Sequence, residues 1–235
     1  MGKLTPMMAQ YKQVKANHQD CILMFRLGDF YEMFFEDAIE ASKILQITLT
    51  ARHKESEHQA PMCGIPYHAV DQYLAKLTRA GKKVAICDQI TRPNGMGIVE
   101  REVVRIVTPG TTFDENILEK KTNNYVAAIM NDGENYAIAY SDITTGEFKI
   151  TELEGLKDFK TEFAKIAPAE VICEEELLAR LKTWQLSGHF FPYNYFDESE
   201  KDLKKHFGVA SLSGFGLDGK ILAANASAML LQYLK

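Results

Sequence analysis

The sequence predicts an α/β protein of two units, a mixed α/β unit at residues 1–115 and an α/β layer at residues 116–235. Three observations support this prediction. Short apolar runs of strand length alternate with helical apolar patterns, and Gly, Pro and Asn separate them. A polar, weakly patterned stretch at residues 111–124 suits a linker. A length of 235 residues is enough for two modest domains, and 46% hydrophobic with 25% charged residues is an ordinary globular composition.

The first unit is predicted to begin with a helix over residues 6–17, because Thr5 can cap it and Pro6 suits its first position. Gly28-Asp29 then turns the chain between a strand and a second helix, and Gly81 ends a third helix. The elements after the first helix are a strand at 22–27, a helix near 30–44, a strand at 47–50, a polar loop at 52–59, a helix at 68–80, a strand at 84–90, a loop at 93–97 and a strand at 102–108.

The second unit is predicted to start with two consecutive hairpins, because turn residues separate three strand-like runs. These elements are strands at 125–130, 136–142 and 147–151, a helix at 156–166, a strand at 170–173, a helix at 174–181, an aromatic run at 189–195, and helices at 198–206 and 219–234. Three antiparallel strands followed by alternating helices and strands predict a ribonuclease-H-like α/β layer. The helical pattern reaches Lys235 without a cap, so we expect this unit to be truncated at its C-terminal end.

Charge and cysteine usage exclude several classes of protein. The net charge of −5 argues against a protein that coats nucleic acid non-specifically. Residues 1–115 carry 14 basic and 14 acidic side chains, whereas residues 116–235 carry 13 and 18. No apolar run approaches the roughly 18 residues of a membrane span. The four cysteines show no CxxC pair or disulfide-like spacing, so we expect reduced thiols in a cytoplasmic protein.

The residues around Phe30 are the main candidates for function. On the predicted second helix, the apolar stripe carries Phe34 and Ala38, and Glu32 lies on the opposite side. Phe30 lies at the edge of that stripe, directly after the Gly28-Asp29 turn. One interpretation is a core aromatic side chain; the other is an exposed ring presented together with a carboxylate, which would suit probing a stack of bases.

Four blocks of this first unit resemble, in the same order, the N-terminal part of the MutS family of DNA mismatch-repair proteins. These blocks are Met24–Phe34, Pro61–Val70, Val84–Gln89 and Val99–Thr111. The second unit is a looser match, mainly at Asp142-Ile143 and near residues 212–216, and it is similar to the connector domain of that family.

The resemblance implies that residues 1–115 form a mismatch-recognition domain in which Phe30 and Glu32 are a Phe-x-Glu pair. This pair would contact a mispaired base from the minor groove. The resemblance also implies further DNA contacts by Leu27, Arg52 and the segment Ile65-Pro66-Tyr67, which we expect to form a rigid turn.

The same resemblance implies the partners and cofactors. The expected DNA partner is a duplex with mismatches or small insertion/deletion loops. A MutL-like protein would bind through the connector, and the full-length protein would form a homodimer. ATP and Mg²⁺ would bind beyond residue 235, so we expect no cofactor, no metal and no enzymatic activity in this chain.

Two rival hypotheses come from other classes of protein. A ribonuclease-H-like layer could carry a metal-dependent nuclease centred on Asp142, although the other acidic residues show no evident reason to converge. Alternatively, the chain could be a protein-interaction module with Phe30 in its core. Gly214–Lys220 matches the front of a phosphate loop, but Ile221 stands where Ser or Thr should bind Mg²⁺.

Overall fold

The computed structural model describes residues 5–52, 60–91, 99–112, 123–195 and 198–235. The chain divides into two compact units, Met1–Asp114 and Glu115–Lys235. Within the described ranges, no helix is long and apolar enough to cross a membrane.

One mixed sheet forms the centre of the first unit. Its strands are β1 (Cys21–Leu27), β2 (Phe30–Phe34), β3 (Thr50–Arg52), β4 (Ala60–Pro66), β5 (Lys83–Gln89) and β6 (Arg101–Val107). Their order is β3-β4-β2-β1-β5-β6; β1 and β5 are parallel and the other neighbours are antiparallel. The helices are α1 (Pro6–Ala16), α2 (Phe35–Leu45) and α3 (Val70–Arg79), with a 3₁₀ turn at Tyr67–Ala69 before α3.

Each face of this sheet has its own apolar cluster, because successive side chains of a strand point to opposite faces. Tyr31 and Met33 of β2 are buried in the cluster that also contains residues of α2 and α3. Phe34 of β2 is buried in the other cluster, with Tyr11 of α1. The ring centroids of Tyr11 and Phe34 are 4.9 Å apart, and the rings make an edge-to-face contact.

The predicted helix near residues 30–44 is wrong at its beginning. Residues Phe30–Phe34 form β2, which pairs with β1 on one side and β4 on the other. The helix starts only at Phe35, whose φ of 53° breaks the strand direction. The hairpin with β1 and the long-range pairing with β4 satisfy the backbone of residues 30–34 as a strand, so the local apolar pattern does not decide their conformation.

Other element boundaries also differ from the prediction. The strand expected at 47–50 lies at Thr50–Arg52, and β4 at Ala60–Pro66 was not predicted. The loop expected at 93–97, most of the loop at 52–59 and most of the linker at 111–124 lie outside the described residues.

The second unit has the predicted ribonuclease-H-like α/β layer. Its strands are β7 (Tyr125–Asp132), β8 (Asn135–Asp142), β9 (Glu147–Glu154), β10 (Glu170–Cys173) and β11 (His189–Pro192). Their order is β11-β10-β7-β8-β9; β7, β8 and β9 are antiparallel, and β10 and β11 run parallel to β7. The helices are α4 (Gly155–Ile166), α5 (Glu175–Thr183), α6 (Ser199–Phe207) and α7 (Ile221–Tyr233). The predicted fold class is therefore confirmed for both units.

Helices cover both faces of this second sheet. The apolar helix α7 packs with Val126 and Ala128 of β7, whereas Phe159 and Phe163 of α4 pack on the opposite face. The short alanine side chains of β7 and β8 allow the helices to approach the sheet closely.

Candidate nucleic-acid interface

Phe30 lies at the tip of the hairpin formed by β1 and β2. Leu27 and Phe30 are register partners, so Gly28-Asp29 is a two-residue loop. Gly28 has φ +59°, which suits glycine at the first central position of a tight hairpin turn. The Phe30 side chain is 49% exposed. The turn therefore holds a large aromatic ring in a solvent-accessible position.

Phe30 and Glu32 point to the same face of the sheet, because they are two residues apart on β2. Their register partners on β4 are Pro66 and Gly64. A Cβ atom at Gly64 would lie 3.6 Å from Cγ of Glu32 and 4.0 Å from Cδ1 of Phe30. A side chain at position 64 would therefore make ordinary van der Waals contact with both residues, and glycine leaves these edges of Glu32 and Phe30 uncovered.

Two hydrogen bonds fix the backbone of the turn. The amide of Tyr67 donates to the carbonyl of Asp29 at 3.0 Å. Nε of Arg26 donates to the carbonyl of Gly28 at 2.5 Å. The Arg26 guanidinium carbon lies 3.6 Å from the centroid of the Tyr67 ring, a cation–π contact.

Tyr31 anchors the hairpin to the core on the opposite face. Its side chain is 5% exposed, and its hydroxyl donates to Oδ2 of Asp88 on β5 at 2.9 Å. Burial, followed by this hydrogen bond, raises the pKa of Tyr31 to about 12. Arg26 is also held by Asp88, with 3.7 Å between Nη1 and Oδ1.

The other predicted contact residues are placed differently from one another. Tyr67 is 41% exposed, and Leu27 and Pro66 are half-buried beside the turn. Ile65 is 0% exposed and packs in the core. Its contact with DNA stays a prediction, which the burial of its side chain does not support. The backbone of Arg52 ends β3, and its side chain lies outside the described part of the chain.

The expected rigid turn at Ile65-Pro66-Tyr67 is also corrected. Ile65 and Pro66 are the last residues of β4 and pair with Tyr31 and Phe30, and Tyr67 begins a 3₁₀ turn. Pro66 is tolerated in this position because it ends its strand.

Sequence reasoning missed three residues that shape this site: Arg26, Gly64 and Asp88. The contacts of Asp88 with Tyr31 and Arg26 depend on the pairing of β1 with β5, which is distant in sequence. One local signal was available for the hairpin itself. A Gly-Asp pair between two apolar runs is typical of a two-residue hairpin.

Asp142 has a structural environment that does not support the nuclease hypothesis. It is 1% exposed, and its carboxylate accepts hydrogen bonds from the amides of Thr144 at 2.8 Å and Asn124 at 3.1 Å. Burial alone would raise the pKa of Asp142, but the hydrogen bonds from Thr144 and Asn124 outweigh it and lower the pKa overall. Among the described residues, no three His, Cys, Asp or Glu side chains form a group that could hold a metal ion.

Comparisons with known proteins match both units in chain order. The family model for MutS domain I matches residues 5–116, and the model for MutS domain II matches residues 124–235.

A DNA mismatch repair protein MutS of Lachnoclostridium phytofermentans is 46% identical over 244 residues, covering 100% of this chain and 26% of that protein. Proteins of the same name are 46% identical in Fusobacterium nucleatum and 44% identical in Clostridioides difficile, and each covers 100% of this chain. This chain covers 28% and 25% of those two proteins, so it spans about a quarter of the length of these relatives. The chain belongs to the MutS family and carries the family's domains I and II.

Proposed function

We propose that this chain recognises mispaired or unpaired bases in duplex DNA by inserting Phe30 from the minor groove. The observation that carries this proposal is the exposed Phe30 ring on a hairpin tip whose next residue, Tyr31, is buried in the core. The relatives that match the whole chain are named mismatch repair proteins, which supports the same role here.

Inserting an aromatic ring costs less free energy at a mispaired base than at an intact base pair. Stacking of a base on an aromatic ring contributes about 1–3 kcal/mol. Separating a base step costs a few kcal/mol, and the cost falls where pairing is already weak. A ring that gains the same stacking energy at every site therefore prefers the sites that deform most easily, with little need to identify the base.

Glu32 supplies discrimination in this proposal, and its side chain lies on the same face as Phe30. A carboxylate close to phosphate groups is disfavoured by like charge, so its ionised form opposes tight binding to an intact duplex. In its protonated form the carboxyl group can donate a hydrogen bond to a base acceptor. Both effects make the affinity for mispaired DNA higher than the affinity for intact duplex.

The flanking contacts are proposed from exposure and position. Tyr67 is accessible beside the turn, and Leu27 and Pro66 flank Phe30 in the sheet. We propose that these three side chains contact sugar or base edges near the kink, and that Arg52 contacts phosphate.

The test compares matched duplex with duplex carrying one mispair, bound by the full-length protein with wild-type sequence or with Phe30→Ala. The expected result is loss of most of the mismatch preference, about tenfold or more, because the stacking contribution disappears. Phe215→Ala is a matched control, since Phe215 is also 49% exposed but lies in the second unit. An unchanged mismatch preference in a folded Phe30→Ala variant would refute the site assignment.

We propose that the second unit is a connector that presents an interaction surface to other parts of the full-length protein and to a MutL-like partner. Its excess of acidic side chains is suited to protein contacts more than to DNA. ATP and Mg²⁺ binding, ATPase activity and homodimer formation are proposed for regions beyond residue 235. The four buried free cysteines are suited to a reducing compartment, and we propose the cytoplasm.

Residues 1–235 alone are proposed to bind DNA weakly. The first unit carries equal numbers of basic and acidic side chains, so its net electrostatic attraction to DNA phosphates is small. Nanomolar binding by this chain that persists at high salt would contradict this part of the proposal.

A further inference from the structure

We infer that Arg26 is a positioning residue, which holds the turn that presents Phe30. The inference rests on the proposed function of Phe30 and adds a specificity-determining residue to it. Arg26 lies on the opposite sheet face from Phe30, because its register partner is Tyr31. It therefore acts on Phe30 through the turn.

One backbone donor and one side-chain donor hold the backbone of the loop. The two loop residues, Gly28 and Asp29, each have their carbonyl bound from outside the loop. Asp29 is bound by the backbone of Tyr67, and Gly28 is bound by the side chain of Arg26. The second of these bonds depends on the identity of one side chain, so a substitution at Arg26 can release the turn while the strand pairing remains.

Two aromatic rings and one carboxylate hold Arg26 in place. Its guanidinium lies 3.6 Å from the Tyr67 ring centroid and 5.5 Å from the Tyr31 ring centroid. Asp88 lies 3.7 Å away and supplies the opposite charge. A flat cation that stacks, donates to Gly28 and pairs with Asp88 at once is a guanidinium and not an ammonium group. Its side chain is 19% exposed, so it is not placed as a free phosphate ligand.

The turn held by Arg26 gives the Phe30 ring one orientation. Arg26 ties the loop to Tyr67, the residue that also donates to Asp29. A ring that enters a base step must arrive in a fixed orientation, and a loose turn spreads its orientations. We therefore expect substitutions at Arg26 to change the mismatch preference more than the affinity for matched duplex.

The experiment uses Arg26→Lys, Arg26→Met and a matched control, Arg180→Lys. Arg180 is also a hydrogen-bonded arginine near an aromatic ring, with 2.8 Å to Asn131 and 5.7 Å to the Trp184 ring, but it lies in the second unit. Amide hydrogen exchange is measured at Tyr67, whose amide closes the turn. Binding of matched and single-mispair duplexes is measured with the full-length protein.

The expected result for Arg26→Lys is faster exchange at Tyr67 and a mismatch preference lowered by about threefold to tenfold, the range of a lost stacked and hydrogen-bonded contact. Arg180→Lys is expected to change neither quantity. If Arg26→Met unfolds, Arg26→Lys decides, because it keeps the positive charge beside Asp88. If Arg26→Lys keeps the wild-type mismatch preference while Phe30→Ala has lost it, the inference about Arg26 is overturned. If Phe30→Ala also keeps the preference, the proposed function itself is overturned.

Discussion

The hydroxyl of Tyr31 donates to Oδ2 of Asp88 at 2.9 Å, which ties β2 to β5 beneath the exposed Phe30. β1 lies between these two strands in the sheet, so the bond crosses a neighbouring strand. This contact fixes the buried side of the hairpin whose other side carries the proposed DNA-reading residues.

Tyr31→Phe is expected to alter the dependence of stability on alkaline pH. The pKa of Tyr31 is about 12 in the folded chain, whereas an unfolded tyrosine has a pKa of about 10. The folded state resists ionisation, so this stabilisation is complete below pH 10 and is lost as the pH rises toward 12. Across that pH interval, the free energy of unfolding of the wild type should fall by about 1–2 kcal/mol more than that of the variant. Urea unfolding at several pH values measures this difference, and parallel curves would contradict it.

Glu32→Gln is expected to raise the affinity for matched duplex by about threefold to tenfold, because it removes a negative charge facing phosphate groups. The mismatch preference should fall accordingly. Fluorescence anisotropy at one fixed salt concentration measures both affinities. The control is Glu36→Gln, an exposed carboxylate on α2. An equal gain from both substitutions would indicate a general charge effect in place of a local one.

Asp37→Ala is expected to destabilise the first unit by about 3 kcal/mol, since it leaves buried partners unpaired. Oδ2 of Asp37 accepts from the amide of Leu23 at 3.0 Å and the hydroxyl of Tyr11 at 3.2 Å, and Oδ1 lies 2.8 Å from Nζ of Lys15. Urea unfolding measures the loss. Glu40→Ala on the same helix removes an exposed ion pair with Lys82 and should cost under about 1 kcal/mol. Equal losses for the two variants would show that the buried carboxylate has no special role.

Asp142→Ala is expected to destabilise the second unit at neutral pH and to have less effect in acid. The pKa of Asp142 is lowered in the folded chain, so its stabilisation is present above the ordinary value of about 4 and is lost as the pH falls. Trp184, the single tryptophan, lies in this unit and reports its unfolding by fluorescence. A difference between wild type and variant that persists undiminished at low pH would contradict this account. Mn²⁺-dependent DNA cleavage that disappears in Asp142→Asn would instead revive the nuclease hypothesis.

The sequence predicted the second unit more accurately than the first. Its strands β7, β8 and β9 follow one another through short turns, so local alternation and turn residues are enough to place them. Strand β2 pairs with β1 on one side and with β4 on the other, and β4 lies about thirty residues further along the chain. The predicted helix is confirmed from Phe35 onward, but residues 30–34, which carry the same apolar pattern, are held by the sheet as a strand.

The sequence by itself determined the α/β class and the two-unit order, because composition and the spacing of apolar residues are local properties. The role of Phe30 and Glu32 as a DNA-reading pair stays a prediction from the family resemblance. Only the tertiary structure decided that Phe30 is exposed while Ile65 is buried, since strand alternation assigns neighbouring residues to opposite faces once the pairing is fixed. It also decided that Arg26, Gly64 and Asp88 surround the site. Their roles arise from contacts between β1, β2, β4 and β5, whose pairing depends on the whole sheet and not on any single segment.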